Sequence, residues 1–218
     1  MAERKGTERS KAGHEDGGGL KPADRIVAAA RLLFCRDGIH ATGIDRILAE
    51  AGTAKMTLYN QFGSKERLIE TVLHRESDEW CAWFAAALRA AGPTPRERLD
   101  GVFPALRDWF ARGDYRGCAI MNAVAEYPKG DPAIHAIALE HKGKVGAILK
   151  TLIVQAGCRN PDALLGEMAI LIDGAIIAAL IGGDPAAADA AGRIARLVIA
   201  HHCPAPGDAT DDDGPGSH

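Results

Sequence analysis

The chain has 218 residues, 47% hydrophobic but only 5% aromatic. That is long enough to bury the core of one domain or two small ones, with a composition that favours helices over strands. The net charge of −3 excludes a uniformly basic nucleic-acid coat. Residues 1–68 nevertheless hold twelve Lys/Arg against nine Asp/Glu, and the rest hold fourteen against twenty, so any attraction for a polyanion is confined to the front end.

Residues 1–20 are polar and end in Gly17-Gly18-Gly19. They read as a disordered arm and contain no apolar run of the signal-peptide kind. The first helix is expected to start near Pro22, a good first helical residue, and to stop at Gly38, with Ile26, Ala30, Leu33 and Phe34 on one face. A second helix is expected from Thr42, whose hydroxyl would cap it with Asp45 as capping-box partner. Its apolar stripe is Ile44, Ile47, Leu48 and Ala51, and Gly52 ends it. A short third helix follows from Ala54 to Gln61, and a fourth from Ser64 to Ala91. Beyond Pro93, helices are expected at Pro95–Ala111, Cys118–Glu126, Pro132–Ala156, Asp162–Ile181 and Pro185–His202. The residues from Pro204 on, with Asp211-Asp212-Asp213, read as a disordered acidic tail.

The segment around Gly52 carries the chemistry. Two short helices joined by Ala51-Gly52-Thr53 have the form of a helix-turn-helix. The third helix offers only Leu58 and Phe62 to a core. Its other face shows Lys55, Met56, Thr57, Tyr59, Asn60 and Gln61, a set that bonds phosphates and base edges. Met56 fits either a thymine-methyl contact or packing. Lys65 opens the fourth helix beside free backbone N–H groups, a phosphate-binding arrangement.

The run Ala41-Thr42-Gly43-Ile44-Asp45-Arg46-Ile47, followed by Ala51-Gly52-Thr53-Ala54-Lys55-Met56-Thr57-Leu58-Tyr59-Asn60-Gln61-Phe62-Gly63-Ser64-Lys65-Glu66-Arg67-Leu68, resembles the tetracycline-repressor (TetR) family. The likeness covers about Ala23 to Ile69. It implies an all-α fold in which a three-helix DNA-binding domain (residues 21–68) precedes a helical effector-binding and dimerisation domain (69–203). It also implies a cytoplasmic homodimer released from double-stranded operator DNA by a small molecule. By the same likeness Thr42, Lys55, Met56, Thr57, Tyr59, Asn60 and Lys65 face DNA. Gly43 departs from the family, which often has a hydroxyl residue there.

Behind this region the aromatics concentrate: Trp80, Trp83 and Phe84 on the fourth helix, then Phe103, Trp109 and Phe110 on the next. They make either plain core or the wall of a ligand cavity. Cys118, Met121, Asn122 and Glu126 belong to a helix otherwise of alanine and aliphatics. Asn122 and Glu126 either hydrogen-bond an effector or tie down nearby loop backbone. The Asp162–Ile181 helix is apolar nearly all round but contains Glu167 and Asp173, which argues for burial in a protein rather than a bilayer. With Gly174, Ala175, Ala178 and Ala179 it would pair, alongside the last helix, with a second copy. The five cysteines are scattered without a CxxC pair, which suggests unpaired thiols in a reducing compartment. No phosphate-loop, HExxH or nucleophile-elbow pattern is present, so neither catalysis, a metal nor a cofactor is expected. Two other readings stand beside a ligand-released repressor. One is a DNA-binding dimer without a small-molecule ligand, the other a helical enzyme or metal sensor built on Cys118, Glu126 and the histidines.

Overall fold

The computed structural model describes residues 20–203, whose regular structure is entirely helical. The expected acidic tail and, apart from Leu20, the N-terminal arm lie outside the described residues. The helices are α1 (Pro22–Asp37), α2 (Ile44–Ala51), α3 (Lys55–Phe62), α4 (Lys65–Ala91), α5 (Pro95–Asp100), α6 (Val102–Phe110), α7 (Ala119–Glu126), α8 (Pro132–Gln155), α9 (Pro161–Gly182) and α10 (Ala187–His202).

Local chemistry sets most of these limits. Proline stands in the first turn of α1, α5, α8 and α9, where its missing N–H costs nothing. Ser64 caps α4 by accepting the Arg67 amide, and Asp131 caps α8 by accepting those of Ala133 and Ile134. Thr94 and Glu97 form a capping box on α5.

Two expectations about helix limits fail. Helix α2 is capped by Gly43 with no side-chain bond. Thr42, expected as its cap, is fully buried and donates its hydroxyl to the Gly38 carbonyl at 2.7 Å. It closes the end of α1 instead. The single helix expected at Pro95–Ala111 is split at Gly101. Pro104 has no N–H to return to the Asp100 carbonyl. Gly101 also lies so near Ala91 that an added Cβ would sit 2.3 Å from the Ala91 Cβ.

Helices α1, α2, α3 and the start of α4 close around Ile26, Leu33, Ile47, Leu58 and Leu68, all fully buried. Helix α4 continues to pack on α5, α7 and α8, and α10 lies against both α9 and α6. Because α10 retraces α9, its end returns to the α8–α9 turn, where the Arg159 amide meets the His202 carbonyl at 2.8 Å. There Cys158 and Cys203 form a disulfide, contrary to the expectation that all cysteines are unpaired.

The aromatic core sits among α4, α6 and α8. Trp80 stacks on Phe84 at 4.8 Å and meets the edge of Trp109 at 5.5 Å, and Tyr115 closes on Trp109 and Phe110 at 5.1 Å each. Into this cluster α8 inserts His141, which is buried, with Nδ1 3.0 Å from the Ser77 hydroxyl. The Cys81 and Cys118 sulfurs lie 4.0 and 3.9 Å from its two ring nitrogens. Burial pushes both thiols up, so they stay protonated at neutral pH. Burial also lowers the His141 pKa to about 4, aided by Lys142 and opposed by Asp173.

A neutral buried imidazole gives stability a defined pH dependence. Unfolded, His141 takes up a proton below about pH 6.5; folded, it does so only below about 4. Its contribution is complete above pH 6.5, is lost as pH falls to about 4, and is level below that. Between pH 7 and 4.5 this amounts to roughly 2 kcal/mol. Urea unfolding at the two pH values should show that much less pH sensitivity in His141→Gln than in the wild type. Equal sensitivity would mean that His141 does not titrate as described.

Candidate nucleic-acid interface

Helices α2 and α3 have eight residues each and meet at a tight turn. Gly52 makes it by adopting a left-handed conformation (φ 59°), which lets the Thr53 amide reach back to the Leu48 carbonyl at 3.1 Å. Helix α3 buries Leu58 completely and Phe62 in part. The opposite face is open: Lys55, Asn60 and Gln61 are exposed, Met56 is 69% exposed and Tyr59 40%. Thr57 is half-buried. Met56 therefore does not pack within the chain. The Lys55 ammonium lies 3.7 Å from an Asp45 oxygen, but both side chains are mostly exposed. Such a pair contributes less than ~1 kcal/mol and leaves the cation free to change partner. One exposed helix face thus offers a cation, a phenol, two amides and an apolar thioether, all able to meet base edges or phosphates.

Thr42 and Lys65 do not join that face. Thr42 is buried, as described above. Lys65 is half-buried and folds back, with Nζ donating to the Ile39 carbonyl at 3.1 Å. Ser64 already takes one of the free amides of α4. One donor of the ammonium is thus spent on an internal joint. Gln61, placed on this face by the sequence pattern but not among the DNA contacts that the family likeness implies, is exposed beside Asn60.

The turn that Lys65 holds is also held from the rear. Glu126, the last residue of α7, accepts the Ile39 and His40 amides through one oxygen, Oε2, at 2.8 and 3.1 Å. That oxygen also lies 3.6 Å from His40 Nδ1, and the His40 ring packs on Tyr127 with centroids 4.7 Å apart. Hydrogen bonds to a charged acceptor contribute about 1.5–3 kcal/mol each, toward the lower figure here because the Glu126 side chain is 29% exposed. Gly38 makes the approach possible: its φ is +90°, and a Cβ added there would lie 3.1 Å from Glu126 Oε2. Asn122 donates to the Arg116 carbonyl at 2.8 Å. Both polar residues of α7 therefore tie down backbone, the second of the two roles the sequence left open. Nothing local in the sequence announces a contact 87 positions away.

Of the other expected ligand residues, Trp80, Trp83, Phe84, Trp109 and Phe110 pack on one another, Cys118 packs against His141, and Phe103 packs against Gly192. Met121 is half-buried. A cavity of about 20 Å³ lies where α1, α4 and α7 meet, lined by Phe34, Glu76, Asn122 and Glu126 among others. It has room for about one water. The Trp80 Nε1–H is buried without an acceptor.

Comparison with known proteins bears on this arrangement. A family model described as bacterial regulatory proteins, tetR family, matches residues 26–72, the helix-turn-helix and its supports. The HTH-type transcriptional activator FasR of Mycolicibacterium smegmatis is 35% identical over 119 residues, 53% of each chain. The HTH-type transcriptional repressor KstR2 of the same organism is 32% identical over 82 residues, 38% of this chain and 40% of its own. The chain thus spans about half the length, or less, of these curated relatives. The likeness to a crystal structure of a TetR-family transcriptional regulator from Streptomyces coelicolor is more extensive. It has a TM-score of 0.76 and 30% identity, covering 84% of this chain and 96% of that one.

Lys55→Ala and Tyr59→Ala should leave the helical signal and melting temperature unchanged, since both side chains project outward, yet weaken DNA binding. If Lys55 meets a guanine edge, its loss costs ~1–3 kcal/mol and relaxes specificity at one base pair. If it meets a phosphate, all sequences weaken and the salt slope falls by about one. Titration of both variants against DNA at several salt concentrations separates these outcomes. Unchanged affinity in both would remove α3 from the interface.

Proposed function

The chain belongs to the TetR family of transcriptional regulators, and on that footing we propose that it is a homodimeric repressor. Its two α3 helices read operator DNA in the major groove, and a small-molecule effector releases it. The observation that carries this reading is the outward face of α3, which gives up burial to present Lys55, Met56, Tyr59, Asn60 and Gln61. Residues 21–68 form the DNA-binding unit and 69–203 the effector-binding and dimerisation unit, in the cytoplasm with the chromosome. Among the relatives, FasR is named an activator and KstR2 a repressor. Repression is the simpler assignment because it requires only that the operator be occupied.

Dimerisation is supported by the faces of α9 and α10. Helix α9 is long and apolar enough to cross a membrane. Its Leu164, Met168, Ile172 and Ile176 are nevertheless buried within the chain, and its Asp173 pairs with Lys142. The opposite face is uncovered: Ile170 is 73% and Ile181 82% exposed, and on α10 Leu197 is 73% exposed. Apolar side chains in such a stripe are covered by a second copy in a four-helix arrangement about a two-fold axis.

Release by an effector is supported by the unpartnered Trp80 Nε1–H, a donor left without its bond inside an aromatic cluster. A molecule with an acceptor oxygen and an apolar body would satisfy it. The mutual packing of those aromatics favours the second reading, a DNA-binding dimer that takes no small molecule.

Sedimentation and footprinting on DNA fragments selected by the protein itself should give a dimer protecting a pseudo-palindrome, with half-sites about one helical turn apart or a multiple of it. Ile170→Glu combined with Ile181→Glu should yield a folded monomer and abolish the footprint. A wild-type monomer that protects the same site would contradict the dimeric reading.

A further inference from the structure

The turn at residues 38–40 is short, yet three helices converge on it. It ends α1; α4 grips its Ile39 carbonyl through Lys65; and α7 grips its Ile39 and His40 amides through Glu126. The carboxylate is oddly placed by local criteria. It ends α7, where the helix dipole disfavours negative charge, and α7 has no basic residue in its last turn to offset it. What holds it there lies across the junction, in the two backbone donors and in a glycine with no side chain to block the approach. Beside it Tyr127 packs on His40.

We propose that Glu126 is a positioning residue: its carboxylate clamps the α1–α2 turn and so transmits the placement of α7 to the DNA-reading helices. The route runs from Cys118, the N-cap of α7 in contact with His141 of the aromatic core, along two turns of helix to Glu126. From there it passes through the turn to α2 and α3. It is separate from α4, which joins the two ends of the molecule covalently. Because both bonds end on one oxygen, a shift of α7 by about an ångström weakens them together and leaves the turn to Lys65 and the apolar core alone. The DNA consequence rests on the function proposed above; the clamp itself does not.

The first measurement needs no DNA. Spin labels at the exposed Gln61 on α3 and Leu139 on α8 report the distance between head and rear. With labelled protomers diluted into excess unlabelled protein, so that each dimer carries one labelled copy, the wild type should give one narrow distribution. Glu126→Ala should broaden or split it while helical content is kept, and Glu126→Gln, which retains an acceptor but not the charge, should fall between. If Glu126→Ala fails to fold, the width in Glu126→Gln decides. A distribution as narrow as the wild type in the folded variant overturns the proposal.

The second measurement uses the DNA fragment selected by the wild-type protein and a version with one base pair inserted between its half-sites. The wild type should discriminate strongly between them. Glu126→Ala should lose that preference by roughly fivefold or more, the scale of ordinary coupling between sites, without a change in salt slope. Broadened distances with full spacing preference would make the clamp merely structural and overturn its positioning role. A wild type that binds no fragment would overturn the proposed function, and the label distances would still decide the clamp.

Discussion

A helix that buries one side chain completely cannot orient itself. Helix α3 is such a helix, and the front of the molecule is organised around that constraint. Eight residues are too few to be stable alone, and Leu58 is the only one of them wholly out of solvent. Its orientation comes from the pocket that α1, α2 and α4 build from Ile26, Leu33, Ile47 and Leu68, and from the left-handed glycine that fixes the angle of entry. Every residue spared from burial is available to a partner, so the same economy that makes α3 dependent makes it useful.

The supports include polar contacts as well as apolar ones. Thr42, Lys65 and Glu126 each bond backbone in or beside the turn at residues 38–40. A turn carries amides and carbonyls that secondary structure leaves unpaired, and buried or half-buried ones must find partners. Here one partner, Thr42, comes from the turn's own segment, and the other two, Lys65 and Glu126, come from α4 and α7. Satisfying the backbone therefore also joins the front of the chain to the rear.

How much of this was legible in the sequence depended on distance along the chain. Helix limits followed proline, glycine and capping residues within a few positions, and the exposed face of α3 followed from its poor amphipathicity. Thr42 was misread because a hydroxyl before a helix has an obvious local role as a cap, and the bond of Lys65 to the same turn was not foreseen; both meet carbonyls between α1 and α2, the second 26 positions away. The break at Gly101 was signalled by Pro104 but depended equally on contact with Ala91. Glu126 and the Cys158–Cys203 pair were beyond reach, since each meets its partner only after the helices have packed. The aromatic residues were correctly grouped, but composition could not decide between a packed core and a cavity wall.

The central claim is that α3 meets DNA in the major groove. Methylation by dimethyl sulfate tests it directly, because guanine N7 is exposed in that groove and adenine N3 in the minor one. On a DNA fragment selected by the protein, the account predicts protection of guanine N7 in two patches about one helical turn apart or a multiple of it, with adenine N3 still reactive. Protection of adenine N3 with every guanine N7 left reactive would contradict it.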